Sequence, residues 1–373
     1  MKLINAHLLN ENFVFSKADI EIDGGRIKQI SEKISFAPEE TVIDCTGYRI
    51  VPGFVDVHIH GCAGTDTMDA TRESLQNMAK YLITKGVTSF CPTTMTASKE
   101  EIITAVKNVN DCMVNPCEGA AVVGVNMEGP FIAEKRKGAQ KADYIIRPDF
   151  AFFKDVYDQF EGVIKLVDVA PEEDKDGEFI RQAKELCTVS LAHTTADYAL
   201  TKQAIDYGVS HITHLYNAMA GFSHREPGVV GAVFEDERVR AEVICDGHHI
   251  HPSVLRTTFR ILGDRALVVS DSMRAAGLPE GEKYDLGGQG VTVRNGLATL
   301  DDGTIAGSVT NLHEEIRNLV KFGIPLEQAI KAATLIPAKA IGLDNEIGSL
   351  SVGKKADLVM LDENLEIVAV YHE

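Results

Sequence analysis

From residue 53 to residue 273 the chain alternates short apolar runs with amphipathic stretches, and this alternation narrows the fold more than any other feature. The strand-like runs are GFVDVHIH (53–60), VTSFCPT (87–93), AAVVGVNMEGP (120–130) and VIKLVDVAPE (163–172). They continue with TVSLAHTTA (188–196), VSHITHLYN (209–217), VRAEVICDGHH (239–249) and ALVVSDSM (266–273). A helix signal lies between most of them. In TRESLQNMAKYLITKG, Leu75, Met78, Ala79, Leu82 and Ile83 recur at i, i+3, i+4, i+7 and i+8, with Gly86 as the stop. ADYALTKQAIDYG and HPSVLRTTFRILG end at glycine in the same way. Eight β-runs separated by helices predict an α/β chain with a (β/α)8 barrel of the TIM type. A doubly wound open sheet is the rival, but no GxGxxG follows the first run.

The two ends read differently. KADIEIDGGRIKQI and TVIDCTGYRIVPG within residues 1–52, and DNEIGSLSVGKKADLVMLDENLEIVAVYHE at 344–373, are short alternating runs. Neither end has enough residues for a core of its own. They are expected to join as one small β-sandwich domain, with the barrel, 53–343, inserted between its halves.

Composition excludes several function classes. No window approaches the roughly eighteen consecutive apolar residues that span a bilayer. MKLINAHLLNENFVF lacks the basic and apolar regions of a secretory signal, so a cytoplasmic location is expected. Seven cysteines without a CxxC pair make neither a disulfide framework nor a thiolate zinc cluster. With 37 Lys and Arg against 55 Asp and Glu, the net charge of −18 repels polyanions and argues against nucleic acid. A small phosphorylated substrate remains compatible, because a few local donors can hold one phosphate.

In a barrel the working face lies at the C-terminal ends of the strands. Reading those ends gives His58 and His60, Glu128, His193, His214, His249 and Asp271. His58 and His60 are two apart in a strand, so they share a face. Imidazoles and carboxylates buried together need a cation or tight mutual pairing to offset desolvation. Four imidazoles and a carboxylate suit zinc or ferrous iron and fit magnesium or calcium poorly. Such an ion brings the ionisation of water down to about pH 7. Asp271 is left as the base that handles the proton. The chemistry predicted is metal-assisted hydrolysis.

With HxH, MEGPF, AHTTA, THLYNAM and SDSM in place, the sequence resembles the amidohydrolase superfamily, and within it the N-acetylglucosamine-6-phosphate deacetylase family. The resemblance runs from VPGFVDVHIHG through EGPF…KGAQ, HLYNAM…REPG, CDGHHIHP and TIAGS to GSLSVGKKADLVMLD. It implies removal of the acetyl group of N-acetylglucosamine 6-phosphate, with glucosamine 6-phosphate and acetate as products. It further implies that Glu128, His193 and His214 hold the main metal and that Asp271 is general base and acid. Asn217 and Ala218 would contact the substrate, His249 the sugar and Arg225 the 6-phosphate, the arginine reaching across a homodimer interface. Some relatives carry glutamine at the second HxH position and bind one ion. Both histidines are present here, which favours two. Gln140 stands where some relatives have a histidine near the acetyl carbonyl. The alternatives are another N-acetyl sugar phosphate such as N-acetylgalactosamine 6-phosphate, a cyclic amide, or a non-catalytic scaffold.

The remaining histidines carry plainer expectations. His211, three residues before His214, should face the helices, and His248 and His251 should alternate away from His249. His224 could assist with phosphate. His7, His313 and His372 are read as surface or packing residues, and Asp246 as an N-cap or an acceptor that orients a histidine.

Overall fold

The computed structural model describes residues 1–372. Eight parallel strands carry the central architecture: β1 (Phe54–Ile59), β2 (Val87–Pro92), β3 (Val125–Met127) and β4 (Ile164–Val169). They are followed by β5 (Thr188–Leu191), β6 (His211–Ile212), β7 (Arg240–Val243) and β8 (Ala266–Val268). β1 pairs with β2, and β3 to β8 pair in sequence order in a second sheet. Single parallel bridges meet at both seams, Thr93 to Asn126 and Ile59 to Ser272. This is α/β architecture of the TIM type. The third sequence run breaks in two, because Ala121–Val122 pairs with β2 before the chain turns at Gly124 into β3.

The helices form where the apolar spacing places them. Arg72–Thr84 buries Leu75, Met78, Ala79 and Leu82, and Thr71 caps it by accepting the Ser74 N–H. Those side chains pack with Val87 and Phe90 of β2 in the main core. Gly86 follows at φ +75°, the left-handed turn that ends the helix without a Cβ clash. Among the described residues no helix is long and apolar enough to cross a membrane.

Both chain ends enter one seven-stranded sheet. Its order is Ile367–Tyr371, Leu358–Leu361, Arg49–Pro52, Lys2–Leu9, Phe15–Asp23 and Arg26–Ser31, with Val42–Asp44 also on Lys2–Leu9. A second element was not anticipated from sequence. Lys283–Leu286, Gln289–Arg294 and Leu297–Thr299 form a three-stranded antiparallel sheet after β8. Leu286 of this sheet, and Thr304, Ile305 and Gly307 shortly after its last strand, line the cavity described below.

Candidate active site

β1 is buried along its length, and His58 and His60 leave its end on one face. Glu128 follows β3 directly. His193, His214 and Asp271 lie just past β5, β6 and β8, each with positive φ (43°, 30° and 45°). Non-glycine residues in that region cost on the order of 1–3 kcal/mol each, a strain that clusters at functional sites. Here it swings three side chains inward at the C-terminal rim.

The side chains form two donor triangles. Glu128, His193 and His214 make one: His193 Nε2 and His214 Nε2 lie 3.1 and 3.2 Å from Glu128 Oε1 and 3.2 Å from each other. His58, His60 and Asp271 make the other, with edges of 3.4 Å between the imidazoles and 3.5 and 3.4 Å to Asp271 Oδ1. Glu128 joins them, since its Oε2 lies 3.2 Å from His60 Nε2. Zinc–nitrogen bonds of about 2.0–2.1 Å in a tetrahedral site place neighbouring donors about 3.3 Å apart. Both triangles have that size, and all six residues are buried. The donor set therefore fits a borderline divalent cation.

The electrostatics agree. Burial opposes charge on His58, yet Glu242, Asp271 and Glu128 hold its imidazole well above the ordinary range. His60 is pushed up to about 10, again against burial, by Asp271 and Glu128. Burial works against Glu128 as well, but His193, His214 and His60 keep it well below the usual carboxylate range. Asp271 is likewise lowered against burial, by His58 and His60. The imidazoles and carboxylates thus stabilise one another's charged forms despite their burial.

His60, Glu128, His193, His214 and Asp271 open onto a cavity of about 380 Å³, which Gln140, Asn217, Ala218 and His249 also line. His58 lies beneath this floor, fully buried. Asn217 N–H donates to the His214 carbonyl at 2.9 Å, and Ala218 has positive φ, so both follow the His214 turn directly. His249 sits six residues beyond β7 rather than at its end. Asp246 compensates by accepting its Nδ1–H at 2.6 Å and its backbone N–H at 2.9 Å. Gln140 is buried, with its carboxamide between Glu128 and Thr96. Arg225 is the expected site residue that the structure does not bring in. It is exposed in the 220–227 loop and is not among the lining residues.

Three further findings depart from expectation. His211 is buried and its Nε2 lies 3.0 Å from Glu242 Oε1, so it faces inward rather than towards the helices. Strand alternation cannot relate it to His214, because β6 stops at Ile212. Glu242 was missed, and it also accepts from His58 Nδ1 at 2.8 Å. The available signal was an acidic residue inside the apolar run VRAEVIC, where an uncompensated charge would be costly. Lys135 and Arg136 were also not singled out, yet they line the cavity, and the Arg136 carbonyl accepts from His193 Nδ1 at 2.7 Å.

Comparisons with known proteins bear on this site. The amidohydrolase family profile matches residues 49–371. N-acetylglucosamine-6-phosphate deacetylase of Bacillus subtilis is 38% identical over 97% of this chain and 93% of its own length. N-acetylgalactosamine-6-phosphate deacetylase of Escherichia coli O157:H7 is 34% identical over 86% of each. An aspartate-to-alanine variant of N-acetyl-D-glucosamine-6-phosphate deacetylase from Mycobacterium smegmatis, in complex with N-acetyl-D-glucosamine-6-phosphate, superposes with a TM-score of 0.92. It is 30% identical, covering 100% of this chain and 97% of that one.

Proposed function

The chain belongs to the amidohydrolase family, and from that premise we propose that it hydrolyses the acetamide of N-acetylglucosamine 6-phosphate to glucosamine 6-phosphate and acetate. One observation carries this reading: two donor triangles, joined through Glu128 and including Asp271, lie at the floor of an open cavity. The full-length likeness to a deacetylase solved with N-acetylglucosamine 6-phosphate supplies the substrate class.

When bound, a divalent ion at these donors lowers the ionisation of water to about pH 7 and polarises a carbonyl oxygen. Glu128, His193 and His214 would hold the first ion, zinc or ferrous iron, and His58 and His60 would favour a second. Asp271 takes a proton from the attacking water at a carboxylate oxygen. As the new carbon–oxygen bond forms and the carbon–nitrogen bond breaks, it returns that proton to the departing amine nitrogen. Gln140 keeps a second amide N–H for the acetyl carbonyl. Asn217 and Ala218 contact the substrate, and Asp246 orients His249 towards the sugar. Arg225 binds the 6-phosphate as a guanidinium fork from the partner in a homodimer.

The same reading closes β1 to β8 into a (β/α)8 barrel over 53–343, supported by the bridges at both seams. Residues 1–52 and 344–372 then form the small β-sandwich, with Glu373 outside the described residues. Lys2–Leu9 supports this by pairing its first residues with Val42–Asp44 and its last with Arg49–Pro52, with a register shift between Leu3 and Ala6. A cytoplasmic location fits a phosphorylated sugar substrate.

The second reading, N-acetylgalactosamine 6-phosphate, is favoured by the E. coli relative. Metal analysis with acetate release from both sugar phosphates, plain N-acetylglucosamine and a cyclic amide tests the assignment. Preferred turnover of N-acetylglucosamine 6-phosphate by zinc- or iron-loaded protein is expected. Preference for any other substrate in that panel overturns it.

A further inference from the structure

Glu242 of β7 is fully buried and touches both donor triangles. Its Oε2 accepts from His58 Nδ1–H at 2.8 Å and from the backbone N–H of His214 at 3.1 Å. Its Oε1 accepts from His211 Nε2–H at 3.0 Å. A carboxylate acceptor keeps a proton on His58 Nδ1, so an arriving cation would displace the proton on Nε2 and leave that lone pair facing His60 and Asp271. That is the tautomer a metal ligand needs, and an outer carboxylate also raises the basicity of the ligating nitrogen. His60 and His214, by contrast, have no partner at Nδ1 among the described residues. Each triangle thus has one anchored imidazole: His193 through the Arg136 carbonyl and His58 through Glu242.

We propose that Glu242 is the positioning residue of the His58–His60–Asp271 group and sets how tightly that group holds a divalent cation. His211 fixes Glu242 in turn. Because one oxygen serves both His58 and the His214 backbone, Glu242 also ties the spacing of the two triangles together. This rests on reading the triangles as metal donors and is independent of which sugar is the substrate.

The test uses full-length protein stripped of metal and titrated with Co²⁺ or Zn²⁺ against a chelating indicator. In Glu242→Ala the His58 group should bind about 10- to 100-fold more weakly, the usual loss when an outer partner of a ligand is removed. Glu242→Gln is nearly isosteric and keeps one acceptor oxygen without the charge, so its loss should be smaller. The Co²⁺ visible spectrum should change in both variants. A purely structural carboxylate would lower Tm and leave the competition constants unmoved. Binding within about twofold of wild type in both variants overturns the proposal while sparing the metal reading. Wild-type protein that does not compete with the indicator overturns both. Should Glu242→Ala fail to fold, Glu242→Gln alone decides.

Discussion

Gln140 Nε2 donates to Glu128 Oε2 at 2.6 Å while its Oε1 accepts the backbone N–H of Thr96 at 2.7 Å. The Thr96 N–H can only donate, which fixes the amide orientation and commits an N–H to the carboxylate that joins the two triangles. Gln140→Leu removes both contacts at a buried position. Leaving buried groups unpaired costs about 1–3 kcal/mol, so Tm should fall and acetate release should weaken. A Leu variant with wild-type Tm and turnover would mean that the Gln140 bonds hold neither Glu128 nor the fold.

Asp271 Oδ1 lies 3.5 Å from His58 Nε2 and 3.4 Å from His60 Nε2, within reach of both imidazoles and open to the cavity. Asp271→Asn keeps the shape but cannot take up and return a proton. Turnover should drop by roughly 10²–10⁴, the usual worth of positioned acid–base catalysis, with metal retained. Stopped-flow acetate release alongside metal analysis measures both. Near-normal turnover at full metal occupancy excludes Asp271 as the proton carrier.

Much of this site could be read from sequence because strand ends are predictable where apolar runs stop. His58 and His60 share a face by alternation alone, and His193, His214 and Asp271 lie where runs five, six and eight end. Alternation failed where the strand itself was shorter than the run: β6 has two residues, so the expected outward face of His211 was wrong. Glu242 was missed because its role depends on contacts 184 residues away in sequence, at His58. The sheet spanning 283–299 was not foreseen. Its turns use glycines at positive φ, including Gly287 and Gly288, within a polar stretch.

Arg225 is exposed and outside the lining of the cavity in its own chain. If it serves the partner's site, Arg225→Ala should raise KM for the phosphorylated sugar by about 10- to 100-fold, since a hydrogen bond to a charged group contributes about 1.5–3 kcal/mol. Plain N-acetylglucosamine should be little affected. Mixed with Asp271→Asn protein and allowed to exchange subunits, it should recover up to about a quarter of wild-type activity, because half the dimers then carry one complete site. Equal penalties on both sugars would remove Arg225 from the phosphate site, and no recovery on mixing would place it within its own subunit's site.

Asp66 gives a pH signature that is separate from catalysis. One of its carboxylate oxygens accepts the Met68 N–H at 2.8 Å, and the other is buried without a partner among the described residues. Burial pushes the carboxyl up from 3.8 to about 6, with the Met68 N–H, His60 and Arg274 pulling it back only in part. Between those values the folded chain keeps a proton that the unfolded chain has lost. Stability from this group is therefore greatest below pH 4, falls as pH rises through 6 and levels off above. At 1.36 kcal/mol per pKa unit the loss is on the order of 3 kcal/mol. Asp66→Asn retains an acceptor for the Met68 N–H and has no proton to lose. The unfolding free energy of the variant should gain on wild type from pH 4 to pH 7 and then run parallel to it. Urea melts of metal-stripped protein across that range measure the difference, and a constant difference would mean that Asp66 ionises at its ordinary pH despite its burial.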